Sequence, residues 1–437
     1  MTAPVRVTAR SPVRWTRTPV IAIGVAASAI LAAVGLVFSR PDVIGIGLPL
    51  ALATAWMLMR RPRDSAMSIE LRAHPEDSED SSEVVAVVDA VLDGDWLQVA
   101  IDQEDMRSGV ADVKPGRAIF TARDRVQHSG PVELLGVTVR GVALDGAWVS
   151  EAGPRVVLTW NTPPRHVPIG RLPVAPRLTG LHGSHEGSRP GQGGDFRDIH
   201  PFAPGDELRR VDWRATARAA RRPGELLVRR TATLSDSSVV IAVDTAEDLG
   251  TAVASWGADD ADRSGTTSLD LAREAALSIA TAAVGIGDRV AYHALSLRGR
   301  SLPAGGGPRH LARVRDVIAA TGQSEEDSRY RRSPVIPTGS IVFVLSTFFD
   351  GVAAQLATRW RAAGHAVVAV DVLPSPDESR LTREQRIALR TLLAERSDIL
   401  VELRHAGVEV VAWTDPDVDV AMRLAALRQQ RVRTVRR

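Results

Sequence analysis

The chain has 437 residues, 44% of them hydrophobic, which is longer than one ordinary domain and too apolar for wholesale disorder. Its formal net charge of +2 gives no global basic field for nucleic acid. It contains no cysteine, which excludes disulfides, thiolate metal sites and cysteine nucleophiles without fixing the redox compartment.

Residues 1–18 are arginine-rich, with Arg6, Arg10, Arg14 and Arg17. Residues 19–39 and 43–61 then read as two transmembrane helices: each holds an apolar run long enough for a bilayer core of about 30 Å. Only Arg40, Pro41 and Asp42 lie between them, so the pair must form a hairpin. Arginines before the first run, and Arg60, Arg61 and Arg63 after the second, place both termini in the cytoplasm by the positive-inside rule. The expected location is therefore the inner (plasma) membrane, with the lipid bilayer as the first partner. A cleaved signal peptide has a shorter apolar region and needs no second run directly behind it. Gly24 and Ser28 form a small-xxx-small pair through which spans could also self-associate.

Residues 64–83 end in the acidic stretch HPEDSEDSSE and read as a linker. Residues 84–176 carry short β-type runs separated by Gly, Asp and Pro, which predicts a small β-sandwich-like module. Residues 183–235 are rich in Gly, Arg and Asp and show little periodicity. From 236 to 433 strands and helices alternate, which predicts an α/β unit with an open, mostly parallel, doubly wound sheet. Within it Thr267 and Asp270 offer a capping pair for a helix burying Leu269, Ala272, Ala276, Ile279 and Ala283. A last helix is expected from about Pro416, followed by an arginine-rich end (Arg428–Arg437) that reads as a solvated helix terminus or a contact for anionic lipid or nucleic acid.

Searches for catalytic patterns return nothing specific. No Gly-rich loop ends in Lys-Ser or Lys-Thr, no His-Glu-x-x-His occurs, and Ser184 beside His185 is not the Gly-x-Ser-x-Gly elbow. His293 and His365 lie in strand regions and read as packed or edge residues. The chain is expected to be non-enzymatic.

The segment Gly187–Arg218 contains Gly193-Gly194-Asp195-Phe196-Arg197, Pro204-Gly205-Asp206, Arg210-Val211-Asp212-Trp213 and Thr216-Ala217-Arg218. These elements and their spacing resemble the defining motif of a bacterial family named for a domain of unknown function, number 58. His200 stands where that family usually has arginine, and Phe202 where it has tyrosine. The resemblance implies two membrane spans, a β module and a von Willebrand factor A-like domain. It also implies a scaffold or adaptor working with a MoxR-type AAA+ ATPase in protein assembly or maturation.

Physically, Pro204-Gly205 suits the centre of a type II turn. Asp195, Asp206 and Asp212 interleave with Arg197, Arg209, Arg210 and Arg218, and carboxylates pair bidentately with guanidinium groups. With Phe196 and Trp213 as apolar anchors, the motif reads as an ionic web holding two domains together. The functional alternatives are a partner-binding surface, or a regulatory or enzymatic site for a phosphorylated or nucleic-acid ligand.

Von Willebrand A-like domains usually hold Mg²⁺ at the strand ends through an Asp-x-Ser-x-Ser loop, a threonine and a further aspartate. Here Asp244 holds the first position, Ala246 and Asp248 stand in the serine places, and residues 303–310 carry no hydroxyl. Only Asp244, Asp248, Ser346 and Thr347 are left as donors, so no metal or other cofactor is expected, with a weak Mg²⁺ site as the alternative.

Overall fold

The computed structural model describes residues 5–63, 66–75, 83–92, 95–102, 108–114, 116–125, 128–170, 172, 185–204, 206–235, 237–256, 265–296, 299–324, 333–418 and 422. They fall into two compact units: residues 1–127 with 131–161, and residues 128–130 with 162–437.

The first unit begins with strands β1 (Val5–Pro12) and β2 (Trp15–Arg17), ahead of helices α1 (Pro19–Val37) and α2 (Pro41–Met59). Seven further strands complete the sheets: β3 (Ala66–Pro75), β4 (Glu83–Leu92), β5 (Trp96–Asp102), β6 (Ser108–Val113), β7 (Gly116–Arg125), β8 (Gly130–Ala143) and β9 (Trp148–Ser150). An eighth, β10 (Val156–Thr162), pairs with β8. One sheet has the order β1-β3-β4-β7, the other β2-β9-β8-β5-β6. Both contribute to a single core, with Met67, Ile69, Leu71 and Val88 from the first and Val99, Leu134, Val139 and Leu158 from the second.

Two sequence expectations change here. Residues 5–12 are a strand, VRVTARSP, alternating half-buried and exposed side chains with the arginines outward. Residues 66–75, inside the expected linker, are a strand with Met67, Ile69, Leu71 and Ala73 inward. Period-two patterning outweighs the polar composition of both segments. β1 and β3 then pair antiparallel over eight residues, from Val5↔Ala73 to Pro12↔Ala66.

α1 and α2 are each 19 residues long and are apolar enough to cross a bilayer. They cross closely because Gly24 has no side chain: a Cβ there would lie 2.5 Å from Thr54 Oγ1. Gly24 thus faces its own hairpin partner. The Thr54 hydroxyl satisfies itself within its helix, donating to Leu50 O at 2.7 Å. The base of the hairpin is tied to the sheets. Thr18 Oγ1 donates to Gly146 O (2.6 Å), Trp148 Nε1 to Met57 O (2.9 Å) and Trp15 Nε1 to Arg63 O (3.2 Å). The Arg60 guanidinium lies 4.1 Å from the Trp56 ring centroid.

The second unit opens with a ribbon. β11 (His185–Pro201) pairs antiparallel with β12 (Leu227–Ser235), with register shifts, and helix α3 (Trp213–Ala219) lies between them in sequence. The glycine-rich segment is thus regular backbone where little periodicity was expected. Irregular pairing tolerates the breaks that hide it from pattern reading.

The α/β part follows in the order β13 (Ser238–Asp244), α4 (Ser268–Gly285), β14 (Arg289–Leu295), β15 (Ser301–Gly305), α5 (Pro308–Ala319), β16 (Ile341–Ser346), α6 (Val352–Ala362), β17 (Ala366–Asp371), α7 (Arg383–His405) and β18 (Glu409–Ala412). The sheet order is β15-β14-β13-β16-β17-β18, parallel except for the edge strand β15. All seven residues of β13 are buried. Its alternate side chains serve two cores: Val239, Ile241 and Val243 pack with α4 and α5, while Val240 and Ala242 pack with α6 and α7. A strand covered on both faces reads as an unbroken apolar run for this reason. The Thr267–Asp270 capping box starts α4. The helix expected from about Pro416 and the arginine-rich end lie almost wholly outside the described residues.

Candidate functional site: the sheet rim and the α3 segment

In the sheet order, β14 lies on one side of β13 and β16 on the other. The connections that leave β13 and β16 run over opposite faces of the sheet, through α4 and α6, and the crevice at the carboxyl ends of these two strands is where such sheets place ligands. Parallel register sets Val243 beside Leu345, so Asp244 and Ser346 end neighbouring strands. Ser346 Oγ donates to Asp244 Oδ2 at 2.7 Å and accepts from Phe348 N–H at 2.9 Å. Ala246 N–H donates to Asp244 Oδ1 at 3.2 Å. Asp248, a candidate donor of the weak alternative site, accepts from Leu269 N–H at 3.1 Å, at the start of α4. A carboxylate meets the unsatisfied amides and positive end of a helix favourably, which accounts for that choice.

Thr347 turns its hydroxyl to Glu247 Oε2 at 2.8 Å. Burial pushes the Glu247 carboxyl up; the Thr347 hydroxyl opposes this, and the charges of Asp350 and Asp244 add to the rise. Burial, then the Asp244 charge, pushes Asp350 up too. Phe348 is fully buried with φ of +60°, a left-handed conformation that costs an ordinary side chain energy and is held by the Ser346 bond.

The neighbouring strand end supplies a countercharge. Asp371 closes β17, pairs with Arg396 Nη2 of α7 and accepts from Leu373 N–H at 3.0 Å. Arg396 Nε donates to Thr347 O at 2.6 Å, and the guanidinium lies 5.5 Å from the Phe349 ring centroid. Trp256 meets the same ring edge-on at 5.9 Å. Beside this rim, a cavity of about 300 Å³ is lined by Thr245, Ser296, Arg300, Thr321, Gln323 and Ser324, among others.

This donor set does not fit a tight Mg²⁺ site. Ala246 offers no side-chain oxygen, Asp248 is turned to α4, and both Asp244 and Ser346 are engaged with protein donors. Among the described residues no three His, Asp or Glu side chains are arranged to hold a metal ion. Glu247 follows the β13 run visibly in the sequence, whereas Asp350, Asp371 and Arg396 were missed. A usable signal was present, since the apolar run ending in Asp371 has the same form as the run ending in Asp244.

A second polar cluster sits at the start of α4. His128 Nδ1 lies 2.7 Å from Asp270 Oδ2, and Ser129 donates to Asp270 Oδ1 from both N–H and Oγ at 2.8 Å. Burial alone would push the Asp270 carboxyl up. The His128 bond and charge, with the Ser129 and Thr267 donors, outweigh it and hold the group at about 2.

In the α3 segment, the backbones of Gly193, Asp195, Phe196 and Arg197 belong to β11, but their side chains lie outside the described residues, as does Gly205. Asp206 Oδ2 accepts from Ala203 N–H at 2.9 Å, closing the turn at Pro204. Asp212 is the N-cap of α3, accepting from Arg214 N–H (3.1 Å) and Ala215 N–H (2.9 Å). Asp212 therefore caps α3, where an arginine pair was expected. The described ion pairs of the segment instead join Glu207 to Arg209 and Arg210. Trp213, expected as an anchor, is 66% exposed, and Arg218 is exposed on the same short helix.

Two outcomes follow. Asp212→Ala removes an N-cap, so it should lower stability by about 0.5–2 kcal/mol in denaturant titration, with Asp212→Asn close to wild type. Glu247 has its folded pKa raised, so its contribution to stability is full below the ordinary glutamate value and lost as pH rises through the raised one. Glu247→Gln should therefore raise the melting temperature at neutral pH and flatten the stability gain that wild type shows on acidification toward the glutamate range. An unchanged pH profile would contradict the assignment.

Residues 198–399 match the family model described as "Protein of unknown function DUF58". The chain is also 28% identical over 280 residues to uncharacterized proteins of Mycobacterium bovis (strain ATCC BAA-935 / AF2122/97) and of Mycobacterium tuberculosis strains CDC 1551 and H37Rv. The match covers 61% of this chain and 78% of each relative. The DUF58 match thus spans the region from the end of β11 into α7, with α3 and the rim of β13, β16 and β17.

Proposed function

We propose that the chain is a membrane-anchored, non-enzymatic scaffold or adaptor. Its cytoplasmic α/β unit, read as von Willebrand A-like and doubly wound, binds a protein partner, namely a MoxR-type AAA+ ATPase acting in protein assembly or maturation. The carrying observation is the rim at the end of β13 and β16. Its polar groups are engaged with one another through Asp244–Ser346, Thr347–Glu247 and Arg396–Asp371, a largely buried set that presets the loops carrying half-buried Glu247 and exposed Asp350 for recognition. The sheet order, with β13 central and helices packed on both faces, supports the doubly wound reading.

Membrane anchoring rests on α1 and α2 and on the pairing of β1 with β3. Strands that flank the hairpin and share one sheet must lie on one side of a bilayer, so an even number of crossings separates them. The arginines at 6, 10, 14, 17, 60, 61 and 63 select the cytoplasmic side.

The absence of native cysteine makes the topology directly measurable. A Ser39→Cys chain should react with a membrane-impermeant maleimide added outside intact spheroplasts, and Ser108→Cys only after lysis. The reverse pattern would refute the orientation. For the partner, full-length protein captured from its own host in mild detergent should carry an AAA+ ATPase in near-stoichiometric amount. Folded, anchored protein that repeatedly elutes without one would refute that assignment.

A further inference from the structure

We infer that α3 and its flanking turns, Leu208–Arg222, form a docking surface for an acidic, amphipathic protein segment. This deepens the scaffold reading by naming a surface and the chemistry of what it holds.

α3 is held from its inner side by backbone bonds. Asp212 N–H donates to Leu227 O at 2.8 Å, Leu227 N–H donates to Thr216 Oγ1 at 2.9 Å, and Val211 bridges Val228. None of its seven residues is buried. A helix this short is marginal by itself, so its persistence depends on the Asp212 cap and the β12 contacts, while its outer face remains open. Apolar side chains are exposed at and around that face: Trp213 at its start and Leu208 in the preceding turn are each 66% exposed, and Phe202 and Ile199 add exposed apolar surface nearby in the chain.

The same stretch carries six arginines, at 209, 210, 214, 218, 221 and 222, against the single acids Asp212 within it and Glu207 just before it. Arg209 and Arg210 pair with Glu207. Asp212 is turned to the helix amides, and Glu225 accepts from the backbone N–H groups of Arg221 and Arg222. Among the described residues, the side chains of Arg214, Arg218, Arg221 and Arg222 have no carboxylate partner. Arg214 and Arg218 are four apart and share one helix face.

Charge complementarity fixes the sign of the occupant, and the Trp and Leu beside the arginines fix its amphipathic character. Exposed tryptophan with arginine is the combination enriched at protein interaction hot spots. A polyanion read by charge alone would leave Leu208 and Trp213 unused. Guanidinium forks pair bidentately with carboxylates, which suits glutamate and aspartate side chains. The area is small, which places the contact in the transient class.

The test uses the full chain in phosphatidylcholine nanodiscs and a fluorescein-labelled helical peptide built from glutamate and leucine, followed by anisotropy. Wild type should bind this peptide and not its glutamine-for-glutamate counterpart, with affinity falling as salt is raised. Arg214→Glu with Arg218→Glu should weaken binding by at least about tenfold, as should Trp213→Ala. Arg313→Glu with Arg315→Glu on α5 serves as the matched charge reversal and should bind as wild type. Arg214→Gln with Arg218→Gln, checked for an unchanged melting curve, guards against loss of fold and should also weaken binding. Equal binding by wild type and the α3 variants would overturn the proposal, as would equal loss in the α5 control. Phosphatidylglycerol vesicles or single-stranded DNA binding more tightly than the peptide, with loss in the same α3 variants, would also overturn it by assigning the surface to lipid or nucleic acid. The titration contains no ATPase, so its failure is separable from failure of the capture experiment.

Discussion

The pairing of β1 with β3 is the constraint on which the first unit depends. Eight residues before the helical hairpin are hydrogen-bonded to residues just after it. The hairpin is therefore an insertion in a sheet, and its two ends are fixed by the same ladder. Trp15, Thr18 and Trp148 bond across that base, so both ends of the hairpin are bonded into the β module.

The second unit solves a different problem, that of strand ends rich in acids. Asp244, Glu247 and Asp350 repel one another, and burial worsens the cost for the latter two. The structure offsets this locally, with hydroxyls of Ser346 and Thr347 donating to Asp244 and Glu247 and Arg396 pairing with Asp371. Removing either member of a buried ion pair leaves the other charge uncompensated, so Arg396 and Asp371 stand or fall together. The left-handed Phe348 belongs to the same arrangement, because its amide is what the Ser346 hydroxyl accepts from.

Much of this was legible from residue patterns because burial imposes period. Unbroken apolar runs marked β13, β16 and β17, and Thr267 with Asp270 marked the start of α4. β1 and β3 carried equally clear alternation, but their arginines and glutamate were read as topology signals and linker composition. Side-chain allegiance was harder. Asp212 lies next in sequence to several arginines, yet the nearest unsatisfied donors are the amides of its own helix. Asp248 likewise accepts from an amide at the start of α4. Trp213 was read as an anchor from its type alone, and type says nothing about whether a helix has a buried side.

The place of the hairpin within the sheet also orders events during synthesis. β1 leaves the ribosome first, but its partner β3 follows both apolar helices in the chain. The edge that β1 presents cannot be satisfied until α1 and α2 have been made. Until β3 follows, the chain keeps an open strand edge of the kind that directs proteins to aggregation or degradation.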